Sequence, residues 1–319
     1  NLLDPYEIKK IIPPIVNKNA KLGILDGSEW NRFSDEETNH QLDEYIKNLP
    51  FQKAGYRKFK IKSIEVDSNI SIKYTTISTQ NAFGKILDQY AKNNTEFSNR
   101  IITTSPDVSV STNLGPWINR KGLFSRVESS DTFRDRKIPS VQKWIFSREG
   151  QHIELGIAEM NLFLMLGAAG LSHELFGERL FPVGTVYDPF IARGLDAMNY
   201  ACYQDARFML AGTPSGISLA PEGGAHQSIG TPLIGISQPG LLSFEPAFAD
   251  ELSVIMNYGF EYLQMENGGS VYLRLSTRSI DQPHREVDEK LKSNILKGGY
   301  WLKNPGSNPQ LIIVYQGVI

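Results

Sequence analysis

The residues best placed to do chemistry begin with Gly156-Ile157-Ala158-Glu159, near the head of a stretch, Glu154 to Leu171, that is otherwise almost wholly apolar. A carboxyl group in such a setting has two fates. Buried without a partner, it is so costly as an anion that it takes up a proton, and a neutral carboxyl can donate a hydrogen bond to a ring nitrogen at neutral pH. At a helix start facing water, it stays an ordinary anion that complements the helix dipole. Spacing alone leaves both open for Glu159.

Three further places carry reactive or ring-bearing side chains. In Pro221-Glu222-Gly223-Gly224-Ala225-His226-Gln227-Ser228 two glycines permit a sharp turn or a close approach to a ligand, and His226 supplies an imidazole, a side-chain type suited to proton transfer. A solvent-facing histidine is the plain alternative. Tyr187-Asp188-Pro189-Phe190 sets two aromatic rings around a proline suited to a first helical turn, and the rings either pack in a core or stack on a planar ligand. In Ser105-Pro106-Asp107-Val108-Ser109, Asp107 either forms the turn or lines a site. His40, His152, His173 and His284 have no evident partner, and no Cys/His cluster has zinc-ligand spacing.

These residues need a scaffold, and the chain supplies one from Ser78 onward. An amphipathic segment, Ala82 to Ala91, precedes the strand-like run 101–104. A helix over Glu154–Leu171 follows, then a strand around 180–186, a helix from about Pro189 to Tyr203 and a strand at 208–211. Farther on come a helix near 247–263, opened by Glu245-Pro246, and a strand at 271–275. Apolar strands alternating with helices predict an α/β fold, a mostly parallel sheet with helices on both faces. Ligands meet such sheets beyond the carboxyl ends of the strands, so the loops at Ser105, Tyr187 and Thr213 share one rim. Residues 1–77 read as a flank or linker, with a possible helix near Gln41 to Leu49, and residues 78–283 as the α/β domain. Residues 284–319 read as a linker followed by the first strand of a further, incomplete domain, because the terminal run LIIVYQGVI looks like a buried strand. The chain therefore reads as part of a longer polypeptide.

Composition narrows the partners. With 40% hydrophobic and 21% charged residues the chain can bury a core, and 33 basic against 35 acidic side chains give a formal charge of -2 without a dense basic block. A nucleic-acid partner is not expected, and no apolar run has the length of a membrane span. The single Cys202 suits a reducing compartment, with the cytoplasm as the expected location.

Taken together, the motifs resemble the pyrimidine-binding domain of thiamine-diphosphate enzymes of the transketolase superfamily, over roughly Ser78 to Pro283. The resemblance implies that Glu159 hydrogen-bonds the cofactor's aminopyrimidine and favours its imino tautomer, which makes the nucleophilic ylid. It further implies that Phe190 stacks on the pyrimidine with Tyr187 one turn earlier, that Asp107 lines the site, and that His226 serves substrate or proton transfer. Glu222 and Gln227 then contact substrate. Phe244 to Met256, Tyr203 to Phe208 and the Glu222–His226 loop resemble homodimeric pyruvate dehydrogenase E1 enzymes. That likeness implies a homodimer, a small 2-oxo acid such as pyruvate, and transfer of the acyl group to a lipoyl-bearing dihydrolipoyl acyltransferase.

Glu245 stands where transketolases carry an arginine for sugar phosphate, which favours a 2-oxo acid. His226-Gln227 and the Ser105–Asn113 turn lean instead toward transketolase or deoxyxylulose-phosphate synthase. A module that kept the fold without catalysis is the rival from another class. No Gly-Asp-Gly with a following Asn is found, so Mg²⁺ ligands are expected outside this segment and none within it.

Overall fold

The structure, a computed structural model, describes residues 36–48, 61–68, 70, 72–127, 135–218 and 223–318. The chain divides into two compact units, Asn1–Arg57 and Lys58–Ile319. In the first unit the described element is helix α1 (Glu36–Asn48), which covers the helix expected near Gln41.

The second unit opens with β1 (Thr76–Ile77), α2 (Thr79–Asn93), β2 (Ile101–Ser105), α3 (Gly115–Lys121), β3 (Leu123–Phe124), β4 (Phe146–Ser147) and β5 (His152–Glu154). Next come α4 (Glu159–Gly170), α5 (Ser172–Phe176), β6 (Phe181–Val186), the 3-10 segment Asp188–Gly194, α6 (Leu195–Tyr203) and β7 (Met209–Gly212). A 3-10 turn, Gly224–His226, leads to α7 (Thr231–Ser237), β8 (Leu241–Phe244), α8 (Ala249–Tyr262), β9 (Ser270–Arg274), β10 (Ile280–Asp281) and α9 (Glu289–Leu296).

Eight strands form one sheet in the order β4-β3-β5-β2-β6-β7-β9-β8, every neighbouring pair parallel. Among the described strands, β1 and β10 pair antiparallel, apart from that sheet. The alternation of side chains along each strand shows why the sheet is covered twice. Met209 and Ala211 of β7, with Val271 and Leu273 of β9, enter one apolar cluster together with α2 and α8. Leu210 and Tyr272, from the same strands, enter the other with α4 and α6. Strands buried on both faces are mostly apolar, as β6 and β7 are.

Local chemistry sets the helix ends. The Ser78 hydroxyl accepts from the Asn81 amide at 3.1 Å to start α2, and Asn94 closes it in the left-handed region at φ 48. The face of α2 bearing Phe83, Ile86, Leu87 and Tyr90 is fully buried. Tyr90 and Phe260 both meet Phe97 edge-on, with centroids 5.2 and 5.0 Å away, a favoured aromatic geometry.

Winding reverses beside β2. After β2 the chain lays down β3, β4 and β5 on one side, then crosses through α4 to β6 on the other. The loops leaving β2 and β6 therefore flank a crevice of the kind where open parallel sheets take ligands. Thr112, from the loop after β2, spans it to Thr185 of β6 at 2.9 Å between hydroxyl oxygens.

Several expectations need correction. Glu154 does not begin a helix. It ends β5, whose backbone is committed to β2, and Gly156 at φ 66 turns the chain before α4 starts at Glu159. The helix expected from Pro189 is divided, 3-10 to Gly194 and α only from Leu195. Residues 311–318 pair with no described strand, and Leu311 is 77% exposed. Upstream of the texture change at Ser78, Ile64, Val66 and Ile70 are buried in the α2–α8 core, and Ile295 of α9 joins them from the stretch that reads as linker.

Candidate active site

The 3-10 conformation after β6 does more than end a strand. Residues three apart eclipse in such a helix, so Tyr187, Phe190 and Arg193 rise along one edge. The Tyr187 and Phe190 rings lie 5.9 Å apart, and the Arg193 guanidinium rests 3.7 Å above the centre of Phe190, a cation–π contact. Gly194 closes the segment where no side chain fits. A Cβ there would come within 2.8 Å of the Phe163 ring and 2.9 Å of the Glu159 carbonyl oxygen, so glycine lets the segment lie against the first turn of α4.

That approach gives Glu159 a third condition beyond the two the sequence offers. The residue is 8% exposed, yet it is not alone: Arg193 Nη1 donates to its Oε1 at 2.7 Å. A flat, N–H-bearing cation thus lies between an aromatic face and a buried carboxylate.

His226 completes the group from another direction. Its ring centroid is 5.5 Å from those of both Tyr187 and Phe190. The sequence-predicted Glu159, Tyr187, Phe190 and His226 therefore converge, with Arg193 linking the first to the rings. Gln227 follows, half-buried, its amide donating to the Gly224 carbonyl at 3.2 Å. Asp107 stands exposed on the loop leaving β2, in the left-handed region at φ 64. Glu222 falls outside the described residues.

Two residues that the sequence left without a role organise that β2 loop. His152 and Glu154 alternate along β5, which puts them on one face of the sheet, and this His-x-Glu spacing is the signal that could have found them. Fully buried His152 contacts the Thr103 hydroxyl through Nδ1 and the Ser109 hydroxyl through Nε2, each at 2.9 Å. Glu154 accepts from Ser109 Oγ at 2.5 Å and from the Asp107 amide at 2.8 Å. Burial alone would raise the Glu154 pKa, but His152, Ser109 and the Asp107 amide outweigh it and hold the carboxyl at about 2. A depressed acid stabilises the fold above its ordinary pKa, and that contribution is lost as pH falls from 4.5 toward about 2. Glu154→Gln is expected to flatten the acid limb of stability over that window, read as the urea midpoint against pH. An unchanged slope would mean that the network does not hold this charge.

The second neglected centre is Asp188. It is wholly buried and accepts from Ser228, Thr231, Tyr272 and Arg274. Arg274 also pairs with Glu245, so both of its carboxylate partners come from this chain. Among the described residues no group of three or more His, Cys, Asp or Glu side chains is arranged to hold a metal ion.

The parallel sheet, with an acid at the start of α4 and a tilted pair of rings near its switch point, is that of the thiamine-diphosphate-dependent transketolase superfamily. Solved transketolases share the fold. The enzyme from Leishmania mexicana matches with a TM-score of 0.55 at 18% identity over 77% of this chain and 32% of its own. That from Campylobacter jejuni matches at 0.52 and 17%, over 86% and 34%.

More particularly, the chain belongs to the family described as the pyruvate dehydrogenase E1 component middle domain, whose profile matches residues 63–281. Pyruvate dehydrogenase E1 components from Cupriavidus necator and Escherichia coli K12 are 24% and 26% identical, over 255 and 249 residues. Each alignment takes in 76% of this chain but only 27% of the relative. The counterpart from Mycobacterium tuberculosis is 26% identical over 67% of this chain and 22% of its own length. The chain thus spans about a quarter of the curated relatives it matches.

Proposed function

We propose that this chain is the pyrimidine-binding part of a thiamine-diphosphate-dependent 2-oxo-acid dehydrogenase E1 acting on pyruvate. The observation that carries the reading is the seat between Phe190 and Glu159. It already accommodates a planar group that stacks on the ring and donates N–H to the carboxylate, as an aminopyrimidine would. The residues present therefore fit the cofactor's ring, and Mg²⁺ with its diphosphate ligands belongs to parts of the protein outside this segment.

When bound, thiamine diphosphate supplies an electron sink for the carbanion left by decarboxylation. The chain's own residues do the rest. Glu159 holds a proton against a ring nitrogen, and Phe190 with Tyr187 fixes the plane of that ring. His226, packed on the same two rings, stands where it can move a proton at the substrate. Asp107 lines the site and Gln227 contacts substrate on this reading. Arg274 is committed to Asp188 and Glu245, which leaves it unsuited to a sugar phosphate and favours a small 2-oxo acid.

A homodimer and transfer of the acetyl group to a lipoyl-bearing acyltransferase complete the reading. Supporting the dimer, α4 is apolar on nearly all sides, yet Leu164 is 58% exposed, and Tyr203, Leu233 and Ile236 add exposed apolar surface on α6 and α7. A cytoplasmic setting accords with the lone buried Cys202, whose thiol burial pushes up to about 11. Among the described residues no helix is long and apolar enough to cross a membrane.

The full-length protein is expected to bind thiamine diphosphate with Mg²⁺ saturably in a calorimeter and to reduce an electron acceptor when given pyruvate. Ketol transfer between sugar phosphates without pyruvate-dependent reduction would transfer the reading to the transketolase branch. Absence of cofactor binding would end it.

A further inference from the structure

We infer that Asp188 is a positioning residue: a single buried carboxylate that locks the His226 loop against the Tyr187–Phe190 pair. The inference rests on the reading of this site given above, but its structural basis is separate. Asp188 sits between the two aromatic residues in sequence and is 0% exposed. Its Oδ2 accepts from the Ser228 hydroxyl, from Thr231 Oγ1 at 2.5 Å and from Arg274 Nε at 3.3 Å, while Oδ1 accepts from the Tyr272 hydroxyl.

The two hydroxyl donors bracket the end of the histidine's loop. Ser228 lies two residues beyond His226, and Thr231 is the first residue of α7. Gly224, Ala225, Ile229 and Gly230 are exposed, and the backbone anchor is the bridge between Ser228 and Gly216 at 3.0 Å. Ser228 takes part in that bridge as well, since its hydroxyl accepts from the Gly216 amide at 2.9 Å. Arg274 closes the arrangement by donating through Nη2 to the Ser228 carbonyl at 3.2 Å. The carboxylate and the arginine thus grip the same residue by side chain and by backbone. Tyr272 and Arg274 belong to β9, which is paired on both sides within the sheet, so the grip is referred to the rigid core.

Hydrogen bonds to a buried charge are the strong class, and a buried carboxylate deprived of its donors is costly. The loop is therefore held in one place, and with it the distance of His226 from the rings. Asp188 touches none of the reacting groups. It acts by fixing where the histidine stands.

The test uses the full-length protein, with Ser228→Ala as the first variant because it removes a donor on the loop side and leaves the buried carboxylate in place. Hydrogen–deuterium exchange over residues 223–230 is expected to quicken by about tenfold or more, the loss of one charge-assisted bond, with β7 and β9 unchanged. With pyruvate, kcat is expected to fall about 10–100-fold, the usual cost of a misplaced catalytic group. Cofactor affinity should stay within about twofold, since the ring's seat is untouched. Ser228→Thr, which keeps the hydroxyl, should restore both exchange and kcat. Asp188→Asn should show the same local loosening, more strongly.

Unchanged exchange in Ser228→Ala and Asp188→Asn would overturn the inference. So would exchange that rises across the whole sheet together with a lowered melting temperature, since Asp188 would then serve stability alone. If the wild-type protein binds no thiamine diphosphate, the functional reading fails while the exchange data still decide the loop's anchoring. If it turns over pyruvate and Ser228→Ala does so equally well, the positioning role fails and the function stands.

Discussion

Glu159→Gln in the full-length protein is expected to fold as the wild type does and to lose turnover by about 10²–10⁴-fold, the span that a positioned acid or base contributes. The amide keeps the size and hydrogen-bonding shape of the carboxyl but cannot share a proton with a ring nitrogen. Stability should move little. The ion pair that is lost has Arg193 52% exposed, and pairs so open to water are worth under about 1 kcal/mol. Turnover with pyruvate and an electron acceptor measures the first effect, and a thermal melt the second. Turnover within about twofold of wild type would remove Glu159 from the chemistry, because that exceeds no ordinary surface effect.

Gly212→Ala is expected to destabilise the domain by about 3 kcal/mol, the upper part of the range for overpacking a core. Gly212 closes β7, and a Cβ there would run into the Asp188 carboxylate and come within 3.0 Å of the Tyr272 ring. Neither neighbour can yield easily, since Asp188 is held by its donors and Tyr272 is part of β9. The strand cannot shift either: Gly212 is in register with Val186 of β6 on one side and Arg274 of β9 on the other. For a domain of this size such a loss lowers the melting temperature by roughly 10 °C. A melt within about 2 °C of wild type would mean that the packing around Gly212 is looser than described.

What the sequence made legible follows from burial. β6, β7 and β9 lie inside the sheet with both faces covered, so they are mostly apolar runs of strand length, and a run of that kind can be read directly. The short strands β3, β4 and β5 have two or three residues each, too few for any alternation to register. That is why Glu154 reads as the head of a helix: the apolar pattern passes through the end of β5 into α4 without a break in composition. The 3-10 segment was hidden for a different reason. Tyr187, Phe190 and Arg193 are three apart, a spacing that an α-helix also brings to one side, so only the backbone decides. The roles expected for Glu159, Tyr187, Phe190 and His226 came from ordered motifs, and the fold does gather those four residues. Asp188 was out of reach of local reading. Its partners lie 40 to 86 residues away along the chain, brought in by the pairing of β6, β7 and β9 and by the loop and helix start that carry Ser228 and Thr231.

The guanidinium lying over Phe190 has a consequence for how any flat ring reaches Glu159. Uptake from that side is an exchange rather than an addition, because the arginine must swing away as the newcomer arrives. On the proposed reading the affinity is then a difference between two contacts with the same carboxylate. Added salt acts on both, easing the departure of the resident cation while weakening the hold on a charged arrival, so the ionic-strength dependence of loading should be shallower than the ligand's own charge implies.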